Sequence, residues 1–138
     1  MSFREKSAWI TLISILLVSI LYFLHMPVPF GLPPEPWMFH ALLVCVALFI
    51  AIEVIAYIVL YLRFPKDART PKDERERLID LKATAIAAYV YVIGSFAAVS
   101  MGHHGANGSA IGYGVLMAFV FAVIIKNSMR IYYYRRGC

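Results

Sequence analysis

The chain has 138 residues, of which 62% are hydrophobic, and its mean hydropathy is +0.74. A water-soluble fold of this length has too small an interior for so much apolar side chain, which excludes a soluble globular domain. The formal net charge is +5. The basic residues flank apolar segments, where membrane insertion requires them, so this charge does not indicate nucleic-acid binding.

Four apolar segments are each long enough to cross about 30 Å of hydrocarbon as a helix. They cover roughly residues 7–25, 37–62, 79–101 and 110–131. They predict an all-α fold, in which residues 1–138 form one antiparallel bundle of four transmembrane helices. Little chain remains for a separate soluble domain, so a functional site is expected inside the bundle or at its two rims.

The 13 Lys and Arg residues are unevenly distributed among the segments that flank the apolar stretches. They precede the first stretch, lie between the second and third or in the first turn of the third, and lie in the last turns of the fourth or after it. The other two connections, Met26–Pro36 and Gly102–Ser109, contain no Lys or Arg. Because positively charged loops are retained in the cytoplasm, this distribution predicts that both termini are cytoplasmic.

Glu53 lies deep within the second apolar segment. An unpaired acid at that depth costs about 3 kcal/mol or more, so it requires a partner or a proton. Counting 1.5 Å per residue along each helix brings Lys126 to the same depth, with Asn127 and Arg130 within a turn of it. We therefore predict an intramembrane ion pair between Glu53 and Lys126 or Arg130. A structural pair is the simpler interpretation, and a proton- or cation-coupling carboxylate is the alternative.

All four histidines fall at the predicted outer rim, with three methionines close to them in sequence. They are His25, His40, His103 and His104. Imidazole with thioether suits copper, and imidazole alone suits zinc or haem iron. Without a tight ligand spacing, histidines beside loops are the plainer interpretation. We expect no cofactor, and a copper, zinc or haem site at this rim is the alternative.

A charged segment precedes the third apolar stretch. Thr70 and Pro71 predict a helix start with Thr70 as N-cap, after a flexible loop over residues 63–70. The charged residues of this motif are Asp73, Glu74, Arg75, Arg77, Asp80 and Lys82. Spacings of three and four residues predict that Arg77 pairs with Asp73 and Asp80. The motif is either a solvated helix or a docking surface for a cytosolic protein partner.

Two helices carry small residues at every fourth position, and a third carries hydroxyl residues along one face. Gly94, Ala98 and Gly102 predict a close helix contact on the third span, as do Gly114, Ala118 and Ala122 on the fourth. Ser7, Thr11 and Ser14 share a face of the first span, which we expect to pack against protein.

Short motifs give the chain a resemblance to a family of small bacterial four-span membrane proteins with a domain of unknown function. The motifs are Asp73-Glu74-Arg75 followed by Ile79, Lys82 and Ala83, then Tyr134-Arg135-Arg136-Gly137, and the opening Phe3-Arg4-Glu5-Lys6-Ser7-Ala8-Trp9. The resemblance implies a bacterial inner membrane and, because members are thought to be encoded beside helix-turn-helix regulators, a regulatory partner. It implies no catalytic residues.

Three functions follow as hypotheses. The first is a non-enzymatic binding or regulatory membrane protein, since the sequence contains no nucleophile elbow, phosphate loop, HExxH or CxxC motif. The second is a small dimeric transporter that uses Glu53 to exchange a proton or cation for substrate. The third is the outer-rim metal or haem protein. A homodimer is expected because four short spans bury little polar surface.

Overall fold

The computed structural model describes residues 3–25, 36–69, 71–106 and 108–136. Within these ranges the fold is entirely helical. The helices are α1 (Phe3–His25), α2 (Pro36–Arg63), α3 (Pro65–Arg69), α4 (Glu74–Ser100) and α5 (Gly108–Arg136), with a 3₁₀ turn at Met101–His104 after α4.

Four of these helices, α1, α2, α4 and α5, are long and apolar enough to cross a membrane, which confirms the predicted fold class. Each extends beyond its apolar segment at one or both ends. The 28 residues of α2, for example, span about 42 Å as a helix, which exceeds the hydrocarbon thickness. The ends of the helices therefore carry charged and aromatic residues into the interfacial regions.

Side-chain contacts show how the helices are arranged. α5 contacts the other three long helices, and its contact with α4 is the most extensive. α1 and α2 are antiparallel, since the Phe3 and Tyr57 rings lie 6.2 Å apart near one end and the Tyr22 hydroxyl donates to the Met38 carbonyl near the other. Arg135 lies over the Trp9 ring, which brings the end of α5 beside the start of α1.

These contacts define two ends of the bundle. The basic end comprises the starts of α1 and α4 and the ends of α2 and α5. The far end comprises the end of α1, the starts of α2 and α5, and the 3₁₀ turn. Phe39 and Gly112 are close neighbours at the far end, where a Cβ added to Gly112 would lie 2.7 Å from the Phe39 ring.

The α4–α5 contact is built from the predicted small residues. A Cβ added to Gly94 would lie 2.8 Å from the Ala118 Cβ, and one added to Gly114 would lie 2.7 Å from the Ala98 Cβ. The two backbones approach each other through the missing side chains, as small-residue repeats allow in membranes. The prediction of a close contact on these faces is confirmed.

A small apolar core joins the remaining helices. Ile15 of α1, Phe49 of α2 and Val120 of α5 are buried together. Most other large apolar side chains face outwards, with Leu24, Leu62 and Phe96 all more than 70% exposed. An apolar exterior of this extent is suited to contact with a lipid bilayer.

Two expectations about the segment before α4 are wrong. Residues 65–69, expected to be part of a flexible loop, form the short helix α3, whose first residue, Pro65, has a backbone already suited to a helix start. α4 begins at Glu74, not at Pro71. Its N-cap is Asp73, whose backbone is extended and whose carboxylate accepts the Glu74 N–H at 2.8 Å. Aspartate is among the strongest N-cap residues. Thr70 lies outside the described residues.

Candidate functional site

Glu53 is positioned by α2 against a hydroxyl of α1. The Thr11 Oγ1 lies 2.7 Å from the Glu53 Oε2 and 3.1 Å from the Ser7 carbonyl oxygen. The other carboxylate oxygen, Oε1, is buried and accepts no hydrogen bond from any described residue. The hydroxyl face of α1 therefore packs against protein, and it meets the acid of the neighbouring helix.

The predicted ion pair of Glu53 is not formed. Among the residues that the structure describes, no ion pair involves Glu53. Arg130 instead pairs with Asp80, and Lys126 lines a cavity between α4 and α5. The buried Asn127 amide donates to the Val123 carbonyl of its own helix. Depth counting placed these side chains at a similar level but could not give the direction in which each helix turns them.

Ion pairs hold three helices together at the basic end. Arg4 of α1 pairs with Glu76 of α4. Asp80 of α4 contacts Lys72, which precedes α4, and Arg130 of α5. The Arg130 Nε lies 2.9 Å from the Asp80 Oδ1, close enough for a strong charge contact although the N–H direction does not meet hydrogen-bond geometry. The Arg130 and Asp80 side chains are only 16% and 19% exposed. Partial burial reduces the screening of the Arg130–Asp80 contact by solvent and salt.

Cations and aromatic rings form a second layer at this end. Lys6 lies 4.0 Å from the centre of the Phe64 ring, and Arg135 lies 5.3 Å from that of Trp9. Lys82 and Tyr133 make a longer contact of 5.9 Å. Basic and aromatic side chains together are typical of the boundary between headgroups and hydrocarbon.

The residues of the charged motif lie on different faces at the start of α4, some in contact with other charged groups and some exposed. Asp73 caps the helix and Asp80 holds two cations, so the predicted pairing of Arg77 with these two acids is wrong. Glu74, Arg75 and Lys82 are exposed. Sequence spacing identified neighbours on the same helix, but Asp80 is turned towards α5.

The far end carries the histidines. His40 donates through Nδ1 to the Pro36 carbonyl at 2.8 Å, and His103 and His104 lie exposed in the 3₁₀ turn. His25 ends α1, which brings it to the same end. Over the described part of the chain, no three His, Cys, Asp or Glu side chains converge on a point that would hold a metal ion. The copper, zinc or haem site stays a prediction, which metal analysis and an absorption spectrum of the purified protein test.

Sequence analysis missed Thr11 as the partner of Glu53, although it selected the correct face of α1. An acid and a hydroxyl separated by 42 residues carry no local signal of contact. The hydroxyl face was the available clue, since polar faces of membrane helices pack against one another.

No family model matches the chain, and searches of curated proteins and of solved structures gave no significant match. The chemistry of these sites is therefore the basis of the functional proposal.

Proposed function

We propose that the protein is a non-enzymatic binding and regulatory module of a bacterial inner membrane, and that its partner is a cytosolic protein. The distribution of Lys and Arg supports placing the basic end in the cytoplasm. The resemblance of its short motifs to those of small four-span bacterial proteins supports the choice of membrane.

One observation carries this proposal. The start of α4 presents an exposed face, formed by Glu74, Leu78 and Lys82 at four-residue spacing with Arg75 beside it. Leu78 is 47% exposed among these charges. An apolar side chain surrounded by charged ones resembles the arrangement of a protein interface, in which an apolar centre has a polar rim.

This exposed face lies on the same helical turns that are tied to the rest of the bundle. Glu76 binds Arg4 of α1, and Asp80 binds Arg130 of α5. A partner that shifted the start of α4 would therefore act on α1 and α5 through these pairs. Binding at one helix would change the packing of three, which is the requirement for a regulatory response.

Site-specific photo-crosslinking in living cells tests the proposal. A photoreactive amino acid at Arg75 is expected to yield a protein adduct of discrete mass, whereas the same residue at the outward-facing Phe96 is expected to yield none. The double variant Glu74→Lys/Lys82→Glu, which reverses the charges while leaving the net charge unchanged, should abolish the adduct. Equal adducts at both positions, or an adduct insensitive to charge reversal, would contradict the proposal.

A small dimeric transporter coupled through Glu53 is the second candidate, favoured by the Thr11 contact. When Glu53 is ionised, the Thr11 hydroxyl donates to it. When Glu53 is protonated, it donates to the Thr11 Oγ1, and the Thr11 hydroxyl turns to the Ser7 carbonyl. Both protonation states have a partner, and no described cation fixes the charge. An acid in that situation can exchange a proton without losing its hydrogen bond.

Proton movement in proteoliposomes separates the two candidates. An internal pH dye should report flux through the wild type that Glu53→Gln abolishes and Glu74→Gln, at the exposed start of α4, leaves intact. Absence of flux through the wild type eliminates uncoupled proton movement through Glu53 and leaves the binding proposal standing. The homodimer stays a prediction, and the mass of the protein by native mass spectrometry tests it.

A further inference from the structure

An open cavity of about 700 Å³ lies between the start of α4 and the last turns of α5. Four cationic side chains line it, namely Lys72, Arg77, Lys126 and Arg130, against the single carboxylate of Asp80. The cavity therefore has a formal surplus of three positive charges. It opens at the basic end, on the face of α4 that carries Arg77, away from Arg75 and Lys82.

Only two of the four cations that line this cavity form an ion pair with Asp80. They are Lys72 and Arg130. Over the residues that the structure describes, neither Arg77 nor Lys126 makes an ion pair. Lys126 is half-buried and lies four residues further into the bundle than Arg130. Lys126 also feels the charge of Asp80, so one carboxylate faces four cations, and the remaining positive charge favours binding of an anion.

The inner wall of the cavity continues as an apolar stripe along α4. Leu81 and Ala85 line the cavity, and Ala88 and Val92 extend the same helix face towards the far end. All four side chains are exposed, with Leu81 at 70% and Val92 at 62%. The charged cavity is therefore continuous with an exposed apolar stripe on α4, along which an acyl chain can lie.

We propose that this cavity binds the phosphate headgroup of an anionic phospholipid, with Arg77 and Lys126 as its principal contacts and the acyl chain along Leu81, Ala85, Ala88 and Val92. The net negative charge of such a headgroup complements the surplus of positive charge in the cavity. The apolar stripe is the feature that selects a lipid over a soluble phosphate. Basic pockets between transmembrane helices on the cytoplasmic side recognise anionic headgroups in this way. The site does not involve Glu53, and its charged contacts, Arg77 and Lys126, are not part of the exposed face formed by Glu74, Leu78, Lys82 and Arg75.

Lipid binding to the purified full-length protein tests the site. Native mass spectrometry measures the affinity for phosphatidylglycerol and for phosphatidylcholine of the same acyl composition. At about 1 kcal/mol for each basic residue, two contacts correspond to a preference of about 30-fold for the anionic lipid. The variant Arg77→Gln/Lys126→Gln should lose that preference. The matched control Arg75→Gln/Lys82→Gln removes the same two charges from another face of α4 and should keep it.

Each other outcome overturns the proposal. Equal affinity of the wild type for both lipids would show that Arg77 and Lys126 extend to the membrane surface without forming a site for an anionic headgroup. Equal losses in the two double variants would show a general effect of net charge. Displacement of the lipid by inorganic phosphate at a similar concentration would assign the cavity to a soluble anion.

A photoactivatable phosphatidylglycerol gives a readout on the wild type, which does not depend on the folding of any variant. With the reactive group on the acyl chain, the adduct is expected within residues 81–92 of α4. An adduct confined to other helices would overturn the site. Melting temperatures of both double variants, measured in the same detergent, establish that the cavity variant is folded.

Discussion

The α4–α5 pair and the α1–α2 pair associate through different kinds of side chain. α4 and α5 meet through Gly94 and Gly114, each facing an alanine of the other helix, and their backbones approach closely along much of their length. α1 and α2 meet through larger side chains, and two hydrogen bonds join them, from Thr11 to Glu53 and from the Tyr22 hydroxyl to the Met38 carbonyl. The first pair depends on close backbone approach at small residues, and the second on larger side chains, two of which donate hydrogen bonds across the contact.

The two pairs also differ in where their charged groups lie relative to the helix contact. In the α4–α5 pair the charged groups lie outside the tight contact, at the basic end, where ion pairs and a water-accessible cavity accumulate. In the α1–α2 pair the acid lies within the helix contact itself. We therefore expect changes in the first pair to affect mainly the stability of the bundle. Changes at Glu53 should affect stability less and any proton-coupled function more.

The largest effect is expected from filling the α4–α5 contact. In Gly94→Ala/Gly114→Ala each new Cβ would lie under 3 Å from an alanine of the other helix, so the helices must separate. We expect a loss of about 3 kcal/mol in the free energy of unfolding, measured by denaturant titration in mixed micelles. Gly108→Ala is the control, because a Cβ there meets open space and alanine favours the helix. A neutral double variant would contradict the close contact.

The next largest effect is expected at Asp80. Asp80→Asn removes the carboxylate that holds Lys72 and Arg130, and it leaves the half-buried Arg130 without a counter-charge. Hydrogen bonds and contacts to charged groups of this kind contribute about 2 kcal/mol. The same titration applied to Asp73→Asn should show little change, since asparagine also serves as an N-cap. Equal effects of the two substitutions would mean that Asp80 acts through general charge only.

A smaller effect is expected at Thr11. Thr11→Val keeps the shape of the side chain but removes the hydrogen bond to Glu53. Hydrogen bonds between membrane helices contribute about 1 kcal/mol, and we expect a loss of that size. Thr11→Ser retains the hydroxyl and should unfold close to wild type. If valine and serine unfold alike, the hydroxyl does not bind Glu53.

The smallest effect is expected from the Arg4–Glu76 pair, which joins α1 to α4. A double-mutant cycle with Arg4→Gln and Glu76→Gln isolates this contact from the other contacts of Arg4. We expect a coupling energy of about 0.5 kcal/mol. The coupling should fall in 1 M salt, where the Debye length shrinks to about 3 Å. Coupling that is unchanged by salt would show that the pair is more deeply buried than the structure places it.

Sequence analysis correctly predicted the features that depend on the residue pattern within a single helix. Apolar length gave the four spans, and the repeats around Gly94 and Gly114 gave the closest helix contact. It failed where the rotation of one helix against another decides the outcome. Lys126 lies at the expected depth, yet it faces α4 and the cavity, while Glu53 faces α1. Periodicity within a helix carries no information on which neighbour each face meets.

The cavity between α4 and α5 was equally beyond sequence reasoning. Its cations come from Lys72 and Arg77 near the start of α4 and from Lys126 and Arg130 near the end of α5, separated by about 50 residues. Sequence analysis assigned Lys126 and Arg130 to an ion pair and Arg77 to a cytoplasmic motif, and it gave Lys72 no site. Only the packing of the two helices joins them.

The proposed sites at the basic end all require that this end faces the cytoplasm, and cysteine labelling tests that claim most directly. In a Cys45→Ala/Cys138→Ala background, single cysteines are placed at the exposed Arg69 and at the exposed His104. Bacterial spheroplasts are then treated with a maleimide that does not cross membranes. We predict labelling of His104→Cys in intact spheroplasts, and of Arg69→Cys only after permeabilisation. Labelling of Arg69→Cys in intact spheroplasts, with His104→Cys protected, would contradict the account.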